Sequence, residues 1–192
     1  IAKNEAENIA RCINSVGVLA DEVIVVDTGS KDGTPAIARS LGAKVILTQW
    51  EDDFSRARNL SLEHAKGEWV LFLDCDEELD PDSCSDLEKL LVSENAEAYY
   101  LQVVNTTAEG MELKVYGLRL FRNRKEYRFI GCIHEQILPS ILQYCEPDKI
   151  MYSTVSMIHR GYNDQQVNVP AKMERNMRIL QNIPEDKRDG FY

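Results

Sequence analysis

EVIVVDTGSKDGTPAIARSLGA, Glu22–Ala43, is the stretch that decides the fold. A continuous run of apolar, mostly β-branched residues ends at Asp27, as a strand does when both faces of its sheet are covered. A polar turn with two glycines and two hydroxyls follows. Then comes a helix pattern with Thr34 as candidate N-cap, Pro35 in the first turn and Gly42 past the end. The flanking segments extend this strand–turn–helix unit. NEAENIARCINSV (from Asn4) reads as a helix, KVILTQ as a strand, FSRARNLSLEHAKG as a helix closed by Gly67, EWVLFLD as a buried strand ending at Asp74, and DPDSCSDLEKLLVSE as a further helix. Alternation of this kind predicts an α/β fold: a mainly parallel, Rossmann-like sheet flanked by helices.

After about Glu97 the texture changes. AYYLQVVNTT, MELKVYGLRLFRN, EYRFIGCIHEQIL and KIMYSTVSMIHRGY are all strand-like, which predicts a mixed sheet. The end is helical, with Met173, Met177 and Leu180 as its apolar stripe. The expected organisation is therefore an α/β half over 1–97, a mixed β half of the same domain over 98–162, and a C-terminal helical extension over 163–192. Only Ile1, Ala2 and Lys3 precede the opening helix, where such a sheet would carry a strand. The expectation is a fragment that starts inside one unit and stops inside a helix.

The 192 residues are 44% hydrophobic and 28% charged, ordinary for a soluble globular domain. No apolar run approaches the roughly 20 residues that span a membrane, and the opening residues lack the apolar core of a signal peptide; peripheral membrane contact stays open. A net charge of -10 argues against nucleic acid as a partner. It still allows a small phosphorylated ligand whose charge a metal ion balances. Five cysteines without a CxxC pair point away from a disulfide framework or zinc site and towards a reducing, cytoplasmic setting.

Ligands of open parallel sheets bind beyond the carboxyl ends of the strands. Asp27 and Asp74 fall there. Asp27 reads equally well as a turn cap. LFLDCDEE places Asp74 and Asp76 two apart, so that in an extended segment both carboxylates share a face. Two close carboxylates repel, and a divalent cation resolves the repulsion; hard oxygen ligands suit Mg²⁺ or Mn²⁺. His159 is a candidate further metal ligand, with a packed structural histidine as the alternative. Arg160 is a candidate for neutralising a diphosphate. Asp32 reads as a cap, His64 as a helix-end residue, Cys75 as a packed side chain, and Trp50 with Phe54 as core rather than crevice lining.

KNEAENIARCINSV, VVDTGSKDGT, RARNLSLEHAKGEWVLFLDCDEEL and GCIHEQI together resemble a family 2 glycosyltransferase with the A-type nucleotide-sugar fold, over Ile1 to about Tyr162. They are closest to the bacterial subgroup resembling lipopolysaccharide core glucosyltransferases and peptide S-glycosyltransferases, in which tetratricopeptide-like helices often follow. The resemblance implies a nucleotide-sugar donor (a UDP-sugar first) and inverting, metal-dependent transfer, with hexosyl transfer the expected type. The acceptor would be a glycan, a lipid-linked saccharide or a peptide. It assigns Asn4, Glu5, Asp27, Arg58 and Asp74 to the nucleotide, and Asp76 with Asp74 to Mn²⁺ or Mg²⁺. It makes Glu135 the candidate base, with His134 as the alternative. The rival reading is a degenerate transferase domain serving as a nucleotide-binding or scaffold module.

Overall fold

The computed structural model describes residues 1–106, 111–160 and 169–183. The elements in order are α1 (Ile9–Val16), β1 (Ile24–Asp27), α2 (Thr34–Ser40), β2 (Lys44–Leu47), α3 (Phe54–Leu62), β3 (Trp69–Leu71), β4 (Glu77–Leu79) and α4 (Cys84–Leu91). They continue with β5 (Ala98–Thr106), β6 (Glu112–Arg122), α5 (Leu138–Ile141), β7 (Ile150–His159) and α6 (Val169–Asn182). The expected α/β alternation is present through α4, except that β4 follows β3 directly.

The strands form two hydrogen-bonded groups. β1 and β2 run parallel, with Val25 opposite Val45. The second sheet has the order β3-β6-β5-β7-β4. It is mixed: β5 and β7 are parallel, while β3–β6, β5–β6 and β4–β7 are antiparallel. β1 and β3 flank an apolar cleft of about 400 Å³, walled by Val23, Val25, Trp69, Leu71 and Leu73 among others. At its end Ala2 makes a parallel bridge to Asp27, with its amide donating to the Val26 carbonyl at 2.8 Å.

Amphipathic spacing decides which faces are covered. Ile9, Cys12, Ile13 and Val16 of α1 are buried, three or four residues apart as one helical face requires. α1 starts at Ile9, later than its pattern suggests, because residues 6–8 form a turn in which the Asn8 and Ile9 amides both donate to the Glu5 carbonyl. The main core joins Val16, Leu79 and Leu87 to Tyr99, Leu101, Leu120, Val155 and Met157 of the mixed sheet. A second cluster lies on that sheet's other face around Phe121, Tyr127, Phe129, Ile137 and Ile141.

Two sequence expectations are corrected. EYRFIGCIHEQIL forms no named strand; it is a looped segment with one antiparallel bridge, Ile130 to Gln136, leading into α5. Its apolar residues enter the core from turns, so their number signals burial rather than a strand. On α6, Met173 and Met177 are exposed, and the covered face carries Ile179 with Ile183 just beyond the helix. Of the expected strand ends, Thr107, Gly161 and Tyr162 lie outside the described residues, as do 163–168 and 184–192 of the expected C-terminal extension. Among the described residues no helix is long and apolar enough to cross a membrane.

Candidate active site

The turn after β1 is built by side chains that hold backbone amides. Asp27 is 2% exposed, and its Oδ1 accepts from the amides of Gly29 (3.0 Å) and Ser30 (2.9 Å). Gly29 sits at φ 102°, where a side chain would be strained. Asn4 and Glu5 knit the N-terminus to this turn. The Asn4 amide donates to Ser30 Oγ (2.8 Å), Asn4 Oδ1 accepts from the Lys31 amide (2.8 Å), and the Glu5 amide donates to Thr34 Oγ1 (2.7 Å). Asp32 accepts from the Thr34 amide and hydroxyl and from the Ala6 amide. It is a cap, and Thr34 is the first helical residue instead of the cap. The other carboxylate oxygen of Asp27, Oδ2, is buried without a hydrogen-bond partner among the described residues. An orphaned buried acceptor of this kind is rare and calls for an explanation.

The second part of the site is a chain of alternating charges. Arg58, on α3, donates through Nε to Glu135 Oε1 (2.5 Å) and through a terminal nitrogen to Asp74 Oδ1 (2.8 Å). Arg119, on β6, lies 3.6 Å from Asp74 Oδ2 and donates to Glu77 Oε1 at 2.6 Å. Glu77 Oε2 in turn accepts from the Asp74 amide at 2.9 Å. The order is thus Glu135, Arg58, Asp74, Arg119, Glu77. Both guanidinium groups lie over the Phe72 ring, at 4.9 and 4.6 Å, and Arg58 also reaches over Phe129. These aromatic faces supply cation–π attraction where water is scarce. Burial opposes the charge on Arg58, but Asp74 and Glu135 outweigh it and push its pKa up. Burial likewise raises the Asp74 carboxyl, and Arg58 with Arg119 overcomes that and holds it well below the usual carboxylate range. Glu77 is the opposite case: burial dominates and pushes its pKa up, with Arg119 opposing.

Asp76 belongs to a different cluster. Its Oδ2 lies 3.2 Å from His159 Nε2, and His159 Nδ1 lies 2.7 Å from Asn105 Oδ1. The amide nitrogen of Asn105 faces the Val103 and Leu113 carbonyls, so Oδ1 is the acceptor and Nδ1 carries the proton. Nε2 is then directed at a carboxylate, and either a proton or a cation belongs between them. The hydrogen bond to Asp76 pushes the His159 pKa up, against burial.

The shared face expected for Asp74 and Asp76 is not what the chain adopts. β3 ends at Leu71, and Cys75 and Asp76 form a turn, so the alternation of an extended strand is lost before the second acid. Among the described residues no group of three His, Cys, Asp or Glu side chains converges as a metal cage. Asp76 and His159, 3.2 Å apart, are an oxygen and a nitrogen donor that could hold a divalent cation.

Glu135 and His134 part company at their turn. Glu135 points inward to Arg58, while His134 is exposed at φ 54°. Arg160 bonds Glu78, His64 lies 3.2 Å from Lys44 Nζ, and Cys75 is buried against the Ile1 carbonyl. Trp50 and Phe54 form an edge-to-face pair at 4.8 Å, packed with Ile133, Ile179 and Ile183. Sequence reasoning missed Glu77, Arg119 and Asn105. Glu77 follows the DxD directly, but nothing local marks Arg119, which lies 42 residues further on and arrives through strand pairing.

A family model described as glycosyl transferase family 2 matches residues 1–158. A TPR repeat-containing protein of Synechococcus elongatus is 38% identical over 197 residues, covering 100% of this chain and 48% of that protein. The SPbeta prophage-derived glycosyltransferase SunS of Bacillus subtilis is 29% identical over 201 residues, covering 100% of this chain and 46% of that protein. The chain thus spans about half the length of the curated relatives it matches. Among solved structures, glucosyl-3-phosphoglycerate synthase from Mycobacterium tuberculosis, in complex with Mn²⁺, UDP and glucosyl-3-phosphoglycerate, superposes with a TM-score of 0.65 at 21% identity, covering 96% of this chain and 78% of that one. At that identity the likeness is one of fold.

Proposed function

The chain belongs to glycosyl transferase family 2, and from that membership we propose that it transfers a sugar from a nucleotide-diphosphate sugar, a UDP-sugar first, to an acceptor nucleophile with inversion and with the help of a divalent cation. The observation that carries this reading is the orphaned Oδ2 of Asp27. A buried anionic acceptor beside two turn amides suits a nucleoside donor group, an imide N–H or a ribose hydroxyl, which would satisfy it on binding.

The other groups then take complementary roles. Asn4 and Glu5 hold the turn that shapes the nucleoside floor. Arg58 and Arg119 fix Asp74 beside the diphosphate. Asp76 and His159 would hold Mn²⁺ or Mg²⁺. Such a cation, when bound, stabilises the negative charge that grows on the leaving diphosphate. Arg58 occupies Oε1 of Glu135, and among the described residues no hydrogen bond is made to Oε2. Oε2 is therefore the atom that takes the acceptor's proton. The bond from the acceptor heteroatom to the anomeric carbon forms on one face of the sugar as the bond to the diphosphate oxygen breaks on the other, through an oxocarbenium-like state. His134, exposed on its turn, is better placed to meet the acceptor than to take this proton.

Calorimetric titration of UDP with and without Mn²⁺, followed by a screen of nucleotide sugars for metal-dependent turnover, tests the reading. Metal-enhanced UDP binding and turnover of at least one donor are expected. Absence of nucleotide binding under both conditions would sink it, and binding without any turnover would favour the degenerate module instead.

A further inference from the structure

We propose that α6, beyond the residues matched to the family model, is a working part of the site: through Arg178 and Ile179 it positions the loop that carries Glu135. The inference rests on the transferase reading above for its catalytic consequence, but its geometry stands apart from it.

Asp52 adopts φ 54°, a conformation that a non-glycine residue keeps only when its surroundings hold it there. Three donors hold its carboxylate. Trp50 Nε1 donates to Oδ1 at 2.6 Å, and Arg178 of α6 donates to Oδ1 at 2.7 Å and to Oδ2 at 2.9 Å. A two-pronged guanidinium fixes direction as well as distance. The next residue, Asp53, caps α3 by accepting from the Arg56 amide, and α3 carries Arg58. The Phe54 amide then donates to the Cys132 carbonyl at 2.9 Å, joining the start of α3 to the loop that leads into Glu135.

α6 covers the same junction from outside. Ile179 and Ile183 pack on Ile133, two residues before Glu135, and the Arg175 guanidinium lies 4.9 Å from the Phe54 ring centre. The loop needs such support, because Gly131 and His134 both have positive φ, 99° and 54°, so the segment between them has little local preference for its shape. Farther along, Asn59 of α3 clamps the Phe129 backbone at two points, 2.8 and 2.9 Å. The Arg58–Glu135 bond therefore spans two pieces of chain, α3 and the 129–135 loop, that α6 presses together. Loosening α6 would free both ends of that bond while leaving in place the Asp27 turn, which is held by its own bonds to the Gly29 and Ser30 amides.

The test uses Arg178→Ala, Arg178→Lys and Ile179→Ala in the full chain, with three readouts: hydrogen exchange of residues 131–135, steady-state transfer, and UDP affinity. Arg178→Ala is expected to speed exchange at 131–135 and lower kcat by about fivefold, and Ile179→Ala by more than about tenfold, since small misplacements of a reacting group are costly. UDP affinity should stay within about twofold of the parent, and lysine at 178 should recover part of the loss, because one prong of the pair survives. Unchanged exchange and unchanged kcat in both truncations would overturn the proposal. So would a parallel fall in kcat, UDP affinity and overall protection, which marks general unfolding. If the parent chain transfers no sugar, the transferase reading fails, yet exchange at 131–135 still decides whether α6 holds this loop.

Discussion

Asp27 uses one carboxylate oxygen for its own turn and keeps the other buried and, among the described residues, unmatched. Replacement by Asn retains an oxygen for the Gly29 and Ser30 amides but puts an N–H where a donor is to be received. Charge-assisted hydrogen bonds contribute about 1.5–3 kcal/mol, so Asp27→Asn should weaken UDP binding by roughly 10–100-fold. Titration calorimetry reads this directly, and an unchanged Kd would remove Asp27 from the nucleoside. Glu135 should behave in the opposite sense. Glu135→Gln still accepts the Arg58 hydrogen bond through its amide oxygen but takes no proton, so kcat should fall by about 10²–10⁴-fold, with donor affinity retained. Lost donor affinity at unchanged turnover would place Glu135 on the donor instead. Asp27 stood out in the sequence because it ends an apolar run, and Glu135 because GCIHEQI resembles the family's motif. The orphaned oxygen and the parting of Glu135 from His134 were not legible, since both depend on turn dihedrals that sequence spacing does not set.

At the level of elements, strand register assembles what the motifs leave apart. Leu71 of β3 pairs with Leu120 of β6, and the Phe72 amide donates to the Arg119 carbonyl at 3.0 Å. That pairing sets Arg119 over Phe72 and between Asp74 and Glu77, a contact 42 residues long that no local pattern announces. EYRFIGCIHEQIL misleads for a related reason: Tyr127, Phe129, Ile133 and Ile137 are buried, and apolar content alone cannot tell a buried loop from a strand. The Glu77–Arg119 pair also yields a stability test. Glu77 is 3% exposed, and removing one partner of a buried ion pair costs about 3–5 kcal/mol, whereas replacing both with apolar residues is often neutral. Arg119→Leu should therefore destabilise strongly in denaturant unfolding, and Arg119→Leu with Glu77→Leu should recover most of the loss. The double variant should still transfer poorly, because Asp74 has lost one of the two guanidiniums that hold it. Additive destabilisation in the double variant would show that Glu77 and Arg119 are not coupled.

On the scale of the whole molecule, the helix and strand periods of the first hundred residues carried over because those elements are amphipathic or fully covered. The division into a parallel pair and a mixed sheet, with a cleft between β1 and β3, is a property of tertiary pairing. The same assembly brings β4, β5 and β7 together so that Asp76, Asn105 and His159 meet from positions 29 and 54 residues apart. Their meeting makes a global, pH-dependent prediction. The His159 pKa is raised above its ordinary value by Asp76, so the proton's contribution to stability is present below about pH 6.5 and is lost as pH rises through the raised value. A cation at the same place has the reverse dependence, because it binds neutral imidazole and competes with that proton. Mn²⁺ with UDP should raise Tm by more than the two separate increments, since a cation held by Asp76 and His159 would attract the diphosphate and so couple the two binding events. That excess should be small at pH 6 and grow towards pH 8. Thermal unfolding of the parent chain and of His159→Gln checks both parts. In the variant the excess should shrink and lose its pH dependence, and an excess equal in both proteins at both pH values would exclude His159 from the cation site.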